Sequence, residues 1–161
     1  MDRTEHVTLN YVYKNGRLEP FPFECHIPPW TPEPGKRSSV RRIIDQFAPI
    51  LERGGVMLGV IDNEQLVGFA ILRYDLEPGM AQLAALFVGN GYRRHGLATK
   101  LTAEVIRRSR ADGAKRLYVS ATPSESAVGF YRSQGFELAE KVNKELYALE
   151  PEDIHMILDL A

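Results

Sequence analysis

Residues 81–89, AQLAALFVG, are almost wholly apolar and do not alternate, and no other stretch limits the possible folds so strongly. A strand with one wet face alternates apolar and polar residues, whereas a strand covered on both faces does not. The run is far shorter than the roughly 20 apolar residues needed to span a bilayer as a helix. It therefore predicts a strand inside a sheet that carries helices on it. A glycine-bounded basic turn follows, and then Leu97, Leu101, Val105 and Ile106 fall on one side of a helical pattern, with Arg107, Arg108 and Arg110 on the other. This spacing predicts a helix over 97–112 that stops at Gly113.

The rest of the chain extends that unit into a mixed sheet. HVTLNYVYKNGRL alternates as a strand and contains Asn15-Gly16, a hairpin turn signal. Residues 20–39 carry six of the ten prolines, which predicts a surface loop rather than a sheet strand. Its Phe21, Phe23, Cys25, His26 and Trp30 either peg a stiff connection to the core or line a substrate cleft. Val40, Ile43, Ile44, Phe47 and Ile50 or Leu51 recur at helical spacing up to a glycine pair. VMLGVI, DNEQ and LVGFAILRY read as strand, turn and strand, and RLYVSA as a further strand. In TPSESAVGFYRSQGF, Thr122 is placed as N-cap, Pro123 at the first helical position, Glu125 as the partner in a capping box and Gly135 as C-cap. FELAEKV and DIHMILDL read as closing strands. The expected fold class is α/β, a mixed sheet of about six to seven strands flanked by helices, forming one domain over 1–161.

Charge and cysteine usage narrow the function. A net charge of −1 argues against an open nucleic-acid surface, although it permits a local basic pocket. Cys25 is the only cysteine, so no intrachain disulfide and no cysteine-held zinc is expected, and no metal ligands are assigned. With no signal peptide and no spanning run, a cytoplasmic protein without membrane contact is expected.

The turn itself, GYRRHGLATKL at 91–101, carries the chemistry. A helix start leaves about four N–H groups without intrahelical partners and the positive end of the helix dipole, so it favours an anion. Gly96 allows the backbone to approach a bulky oxyanion, Ala98 keeps the first turn small, Arg93 and Arg94 can add charge-assisted contacts, and Thr99 offers a hydroxyl. A solvated basic turn is the plainer alternative. A P-loop is excluded by the missing Lys-Ser/Thr pair. A dinucleotide fingerprint fails at its third glycine.

Arg93-Arg94-His95-Gly96-Leu97-Ala98 at a strand-to-helix junction, with Ala127, Tyr131, Gly135 and Phe136 on the next helix, resembles the GNAT superfamily of N-acetyltransferases over residues 55–150. The first set matches its Arg/Gln-x-x-Gly-x-Gly/Ala motif and the second its Ala-x-x-x-Tyr-x-x-x-Gly-Phe pattern. Ser124 departs from the asparagine that many members place seven residues before the tyrosine. The resemblance implies acetyl-CoA as acetyl donor, its pyrophosphate wrapped by the N–H groups of 94–99, with His95 and Leu97 in the same turn. It implies that Leu86, Phe87 and Val88 pair with the pantetheine arm across a splay between this strand and RLYVSA. It also implies that a backbone N–H there polarises the thioester carbonyl.

The implied reaction is direct attack by a primary amine of a small molecule or peptide, with Tyr131 as general acid. A phenol near ~10 is protonated at neutral pH and can donate to a thiolate near ~8.5. Glu24, His26 and Glu33 are the candidate bases, His95 belongs beside the phosphate, and His155 falls on a late strand. A CoA-binding or ligand-sensing module without turnover is the alternative function. A homodimer through late strands fits the resemblance.

Overall fold

The computed structural model describes residues 1–161. Eight strands and four α-helices divide into a six-stranded sheet and a separate two-stranded ribbon. The ribbon is β1 (Glu5–Lys14) with β2 (Arg17–Ile27), antiparallel, turned by Asn15 at φ 50° and Gly16 at φ 81°. Both central residues of the turn thus take the positive φ that the Asn-Gly pair favours. Helix α1 (Val40–Glu52) follows, then β3 (Val56–Asp62), β4 (Gln65–Glu77) and β5 (Met80–Val88), joined as an antiparallel meander. Helix α2 (Leu97–Ala111) returns the chain so that β6 (Arg116–Ala121) lies parallel to β5. Helix α3 (Glu125–Ser133), the two-residue β7 (Glu137–Leu138), helix α4 (Lys144–Leu149) and β8 (Ile154–Asp159) complete the sheet in the order β3-β4-β5-β6-β8-β7.

Burial on both faces matches the reading of the central strands. Ala70, Leu72 and Leu83 pack beneath Leu101 and Val105 of α2 and Val128 and Tyr131 of α3. Phe69, Ile71 and Ala85 turn to the opposite face, against Phe47 of α1. A third cluster, Leu76, Met80, Tyr118 and Leu146, seats α4. Two covered faces meeting in β4 and β5 make this pair the rigid middle of the molecule.

Three expectations are corrected. Residues 20–27 are strand, not loop, despite Pro20 and Pro22. A two-stranded ribbon leaves each strand one unpaired edge, where a missing N–H costs nothing. The cap of α3 is Ser124, whose hydroxyl accepts from Ala127 N–H at 3.4 Å, and Glu125 begins the helix. Thr122 and Pro123 stay outside it because the Pro123 carbonyl accepts the Tyr11 N–H at 2.8 Å and Asn10 bridges Ser124. The stretch FELAEKV supplies only two strand residues, and α4 forms after it, capped by Asn143, whose side chain accepts from Leu146 N–H at 3.0 Å.

Candidate active site

Strands β5 and β6 pair over only three residues, Met80–Gln82 with Arg116–Tyr118, and then part. The ladder on the other side of β5 shows why. Ile71 stands opposite Ala85 and Leu72 opposite Leu83, so Ala84 is an extra residue, a bulge that bends the strand. Beyond it Gly89 N–H donates to the Val67 carbonyl at 2.8 Å. Peptide groups alternate sides along a strand, so this bond turns those of Leu86 and Val88 toward the gap that β6 has left. Phe87 faces the α1 side and stacks edge-on with Trp30 at 5.5 Å.

The turn between β5 and α2 lies at the open end of this gap. A short 3-10 turn (Asn90–Tyr92) is tied down by Tyr92, whose hydroxyl donates to Asp62 at 2.8 Å. Arg94 then takes φ 62° and Gly96 φ 76°. Left-handed residues among right-handed ones point successive N–H groups inward, the arrangement that forms an anion-binding nest. Gly96 is the N-cap of α2, and the first helical bond is from Lys100 N–H to its carbonyl at 3.0 Å. No backbone or side-chain acceptor takes the N–H groups of Arg94, His95, Gly96, Leu97, Ala98 or Thr99. A Cβ built on Gly96 meets no atom within 4 Å. Six free donors thus border open space. The exposed side chains of Arg94 and His95 flank it.

Arg93 is committed elsewhere. Its guanidinium donates to the Val88, Thr4 and Arg3 carbonyls at 3.3, 3.4 and 3.3 Å, and approaches the Glu5 carboxylate at 3.4 Å. Asn90 N–H donates to the Asp2 carbonyl at 2.7 Å. Glu5 also accepts from the Ser126 hydroxyl on α3 at 2.5 Å. With the Tyr11 and Asn10 contacts to Pro123 and Ser124, β1 runs from the end of β5 to the end of β6 and crosses the mouth of the gap. A broad cavity opens along its outer side, lined by Glu5, His6, His26, Pro28, Asn90 and Arg93.

Tyr131 comes from the other bank. It is buried, with Phe136 and Phe130 edge-on to its ring at 5.4 and 5.3 Å. Its hydroxyl forms no hydrogen bond within the protein. Burial, and then the neighbouring Asp153, push the phenol well above its ordinary value, so it keeps its proton at every working pH. Asp153, just before β8, accepts from the Ser120 hydroxyl at 3.0 Å. Burial first, opposed by that bond and assisted by Glu150 and Glu152, raises its carboxyl to about 6. Beside Ser124 on the same bank lies the Asn10 side chain, buried, with its Oδ1 unpaired. Sequence reading found neither Asp153 nor Asn10, because each reaches the site from a distant segment.

The nominated bases do not gather around Tyr131. Glu24 and His26 are exposed on β2, and Glu33 pairs with Lys36 at 2.5 Å on the following turn. His155 is structural. Its Nδ1 bonds the Tyr118 hydroxyl at 2.7 Å, that oxygen accepts the Asn143 N–H at 2.9 Å, and burial pulls the imidazole below its ordinary value.

Comparison with known families decides what this arrangement is. Residues 17–136 match the Acetyltransferase (GNAT) family. The chain belongs to that family. As a GNAT acetyltransferase it is an acyltransferase with acetyl-CoA as donor. It is 30% identical over 115 residues to N-alpha-acetyltransferase 50 of Danio rerio, covering 69% of this chain and 68% of that protein. It is also 30% identical over 104 residues to the amino-acid acetyltransferase of Aeromonas salmonicida (strain A449), 65% of this chain but 21% of that protein. Among solved structures, nourseothricin acetyltransferase superposes with a TM-score of 0.71 at 19% identity, over 100% of this chain and 89% of its own. A GNAT family acetyltransferase of Elizabethkingia anophelis with acetyl-CoA bound gives 0.58 at 17% identity, over 74% and 82%. These GNAT structures share the fold, including, in the first, the region of the ribbon.

Proposed function

We propose that this GNAT acetyltransferase moves the acetyl group of acetyl-CoA to a primary amine of a small molecule or peptide by direct attack, with Tyr131 as general acid. The observation that carries the reading is the run of six unpaired N–H groups at 94–99, set at the end of a gap whose wall carries the Leu86 peptide group and the Val88 N–H. The free donors and the space above Gly96 suit a pyrophosphate. Because Arg93 is engaged by β1, backbone N–H groups and Arg94 do the anion binding. Asn10, whose unpaired Oδ1 lies next to Ser124, would offer the donor the amide that Ser124 lacks.

Each protein group has one task in the reaction. The donor supplies a thioester activated for acyl transfer. The Leu86 N–H holds the carbonyl oxygen as negative charge develops there, an effect worth roughly 3 kcal/mol per donor in other enzymes. The amine nitrogen bonds to the acetyl carbon, the carbon–sulfur bond breaks, and Tyr131 gives its proton to the departing sulfur. Asp153, ionised above about 6, accepts the proton that the attacking nitrogen loses and restores Tyr131 in the next cycle through solvent. An α-amine near ~8 is neutralised at pH 7 for only about 1 to 1.5 kcal/mol, against about 4 to 5 for a lysine amine near ~10.4. The α-amine is therefore the acceptor favoured by a site with one carboxylate base. The two curated relatives, by name, transfer acetyl to N-alpha and amino-acid acceptors.

Thiol release from acetyl-CoA, measured across a panel of amino acids, peptides and small amines, tests the proposal. Tyr131→Phe is expected to lower kcat by roughly 10²-fold or more while leaving the melting temperature unchanged, since the hydroxyl it removes makes no hydrogen bond within the protein. Full turnover in that variant would remove Tyr131 from the mechanism.

A further inference from the structure

Two of the four histidines sit face to face on the ribbon, away from Tyr131. His6 on β1 stands directly opposite His26 on β2 in the register, and their rings stack with centroids 4.2 Å apart and an angle of 10°. The ladder is irregular beside them. Val7 pairs with Cys25 but Leu9 with Pro22, so Phe23 and Glu24 together oppose Thr8. A bulge of this kind re-aims a side chain, and here the Glu24 carboxylate comes to lie on His6 Nε2. One ligand atom from each of His6, Glu24 and His26 lies within 4.8 Å of the other two.

The pairing of His6 with Glu24 accounts for two of these groups and leaves the third unexplained. His26 makes no hydrogen bond, yet its ring is held flat against that of His6. One cation bound to a nitrogen of each ring and to the carboxylate would satisfy all three.

We propose that His6, His26 and Glu24 form a binding site for a divalent transition cation of the zinc type. Two imidazole nitrogens and one carboxylate oxygen select zinc, cobalt or nickel over magnesium or calcium, which require mainly oxygen ligands. Three protein ligands leave a fourth tetrahedral position for water. The ligands are exposed, at 49% for the His6 side chain and 70% for Glu24, so the rings can unstack by rotamer changes that aim a nitrogen of each at the cation without disturbing the core. The bound cation would cross-link the two strands of a ribbon that has no third strand to support it. It would also stand on the wall of the cavity that His6 and His26 share with Arg93 and Asn90. The site is independent of the acetyl-transfer reading, because none of its ligands acts in that mechanism.

The test uses tag-free, chelator-treated protein titrated with zinc chloride by calorimetry, and with cobalt(II) chloride followed by visible absorption. One saturable site per chain is expected, with micromolar affinity, tetrahedral cobalt bands and a higher melting temperature in zinc. His6→Ala and His26→Ala should each weaken zinc about tenfold or more, and Glu24→Gln, which keeps the shape of an exposed side chain, should weaken it and alter the cobalt spectrum. His95→Gln, at the other exposed histidine, should leave binding unchanged. Absence of saturable binding overturns the proposal. So does zinc affinity that survives His6→Ala and Glu24→Gln, or magnesium binding as tightly as zinc.

Discussion

Gly96 combines two demands that no other residue meets together. Its φ of 76° costs an ordinary L-residue about 1–2 kcal/mol, and the space above it is where an anion would approach the free N–H groups. Gly96→Ala should therefore fold, with a stability loss of about 1–2 kcal/mol in chemical denaturation, yet bind acetyl-CoA at least about tenfold more weakly by calorimetry. An equal affinity would mean that the anion does not lie over this turn. Asp153 gives a prediction with a sign. Its carboxyl in the folded protein, at about 6, lies above the unfolded value of 3.8, so the folded state holds this proton more tightly. The stability it contributes is full below pH 4 and is lost as pH rises through 6. Asp153→Asn should consequently be more stable than the parent at pH 7.5, on the order of 2 kcal/mol, with the difference closing toward pH 4. In the parent kcat/KM is expected to rise through pH 6 as this carboxyl ionises, and the same substitution should abolish that rise. Tyr131, held protonated by burial, contributes no limb to that profile below the alkaline range.

At the scale of elements, the N-terminus of α2 is only as well placed as the helix behind it. Leu101, one turn inside and almost fully buried against the sheet, anchors it. Leu101→Ala should cost about 2–5 kcal/mol and raise the KM for acetyl-CoA, measured at a temperature where the variant remains folded. The elements that could be read from sequence are those whose signals are local. The unbroken apolar run of β5, the 3.6-residue pattern of α2 and the glycine at 96 each state their structure without reference to distant residues. Those that could not be read depend on tertiary partners. Proline is tolerated in β2 because the ribbon has a free edge, which the local sequence does not reveal. Six residues of α4 are too few for a periodicity, and that helix is held by the Asn143 cap, the burial of Leu146 and the 2.8 Å bond from Arg73 to Glu145. The capping asparagine three residues before Leu146 was the available signal. Ser124 was displaced from its expected helical position by β1, and Asp153 joins Tyr131 only when β8 pairs with β6.

For the whole molecule, the decisive arrangement is that β5 and β6 are parallel and each leads into a helix. Both helix starts consequently lie at the same end of the sheet, on either bank of the gap. Strand β1 and the residues leading into it are fastened to both banks, through Asp2, Arg3, Thr4 and Glu5 on one side and Asn10 and Tyr11 on the other. Its Tyr11 N–H, bonded to Pro123, is a natural reporter, and hydrogen exchange at this amide should change on addition of acetyl-CoA while amides in the middle of β4 do not. An unaltered rate at Tyr11 would show that the gap fills without disturbing the ribbon. A strand anchored at both ends is a tie-rod between the banks, and a changed rate at Tyr11 would mean that filling the gap loads it. Donor affinity and ribbon order are then two readings of one free energy. In that case the factor by which the donor shifts the ribbon's opening equilibrium equals the ratio of donor affinities between the closed and the open ribbon.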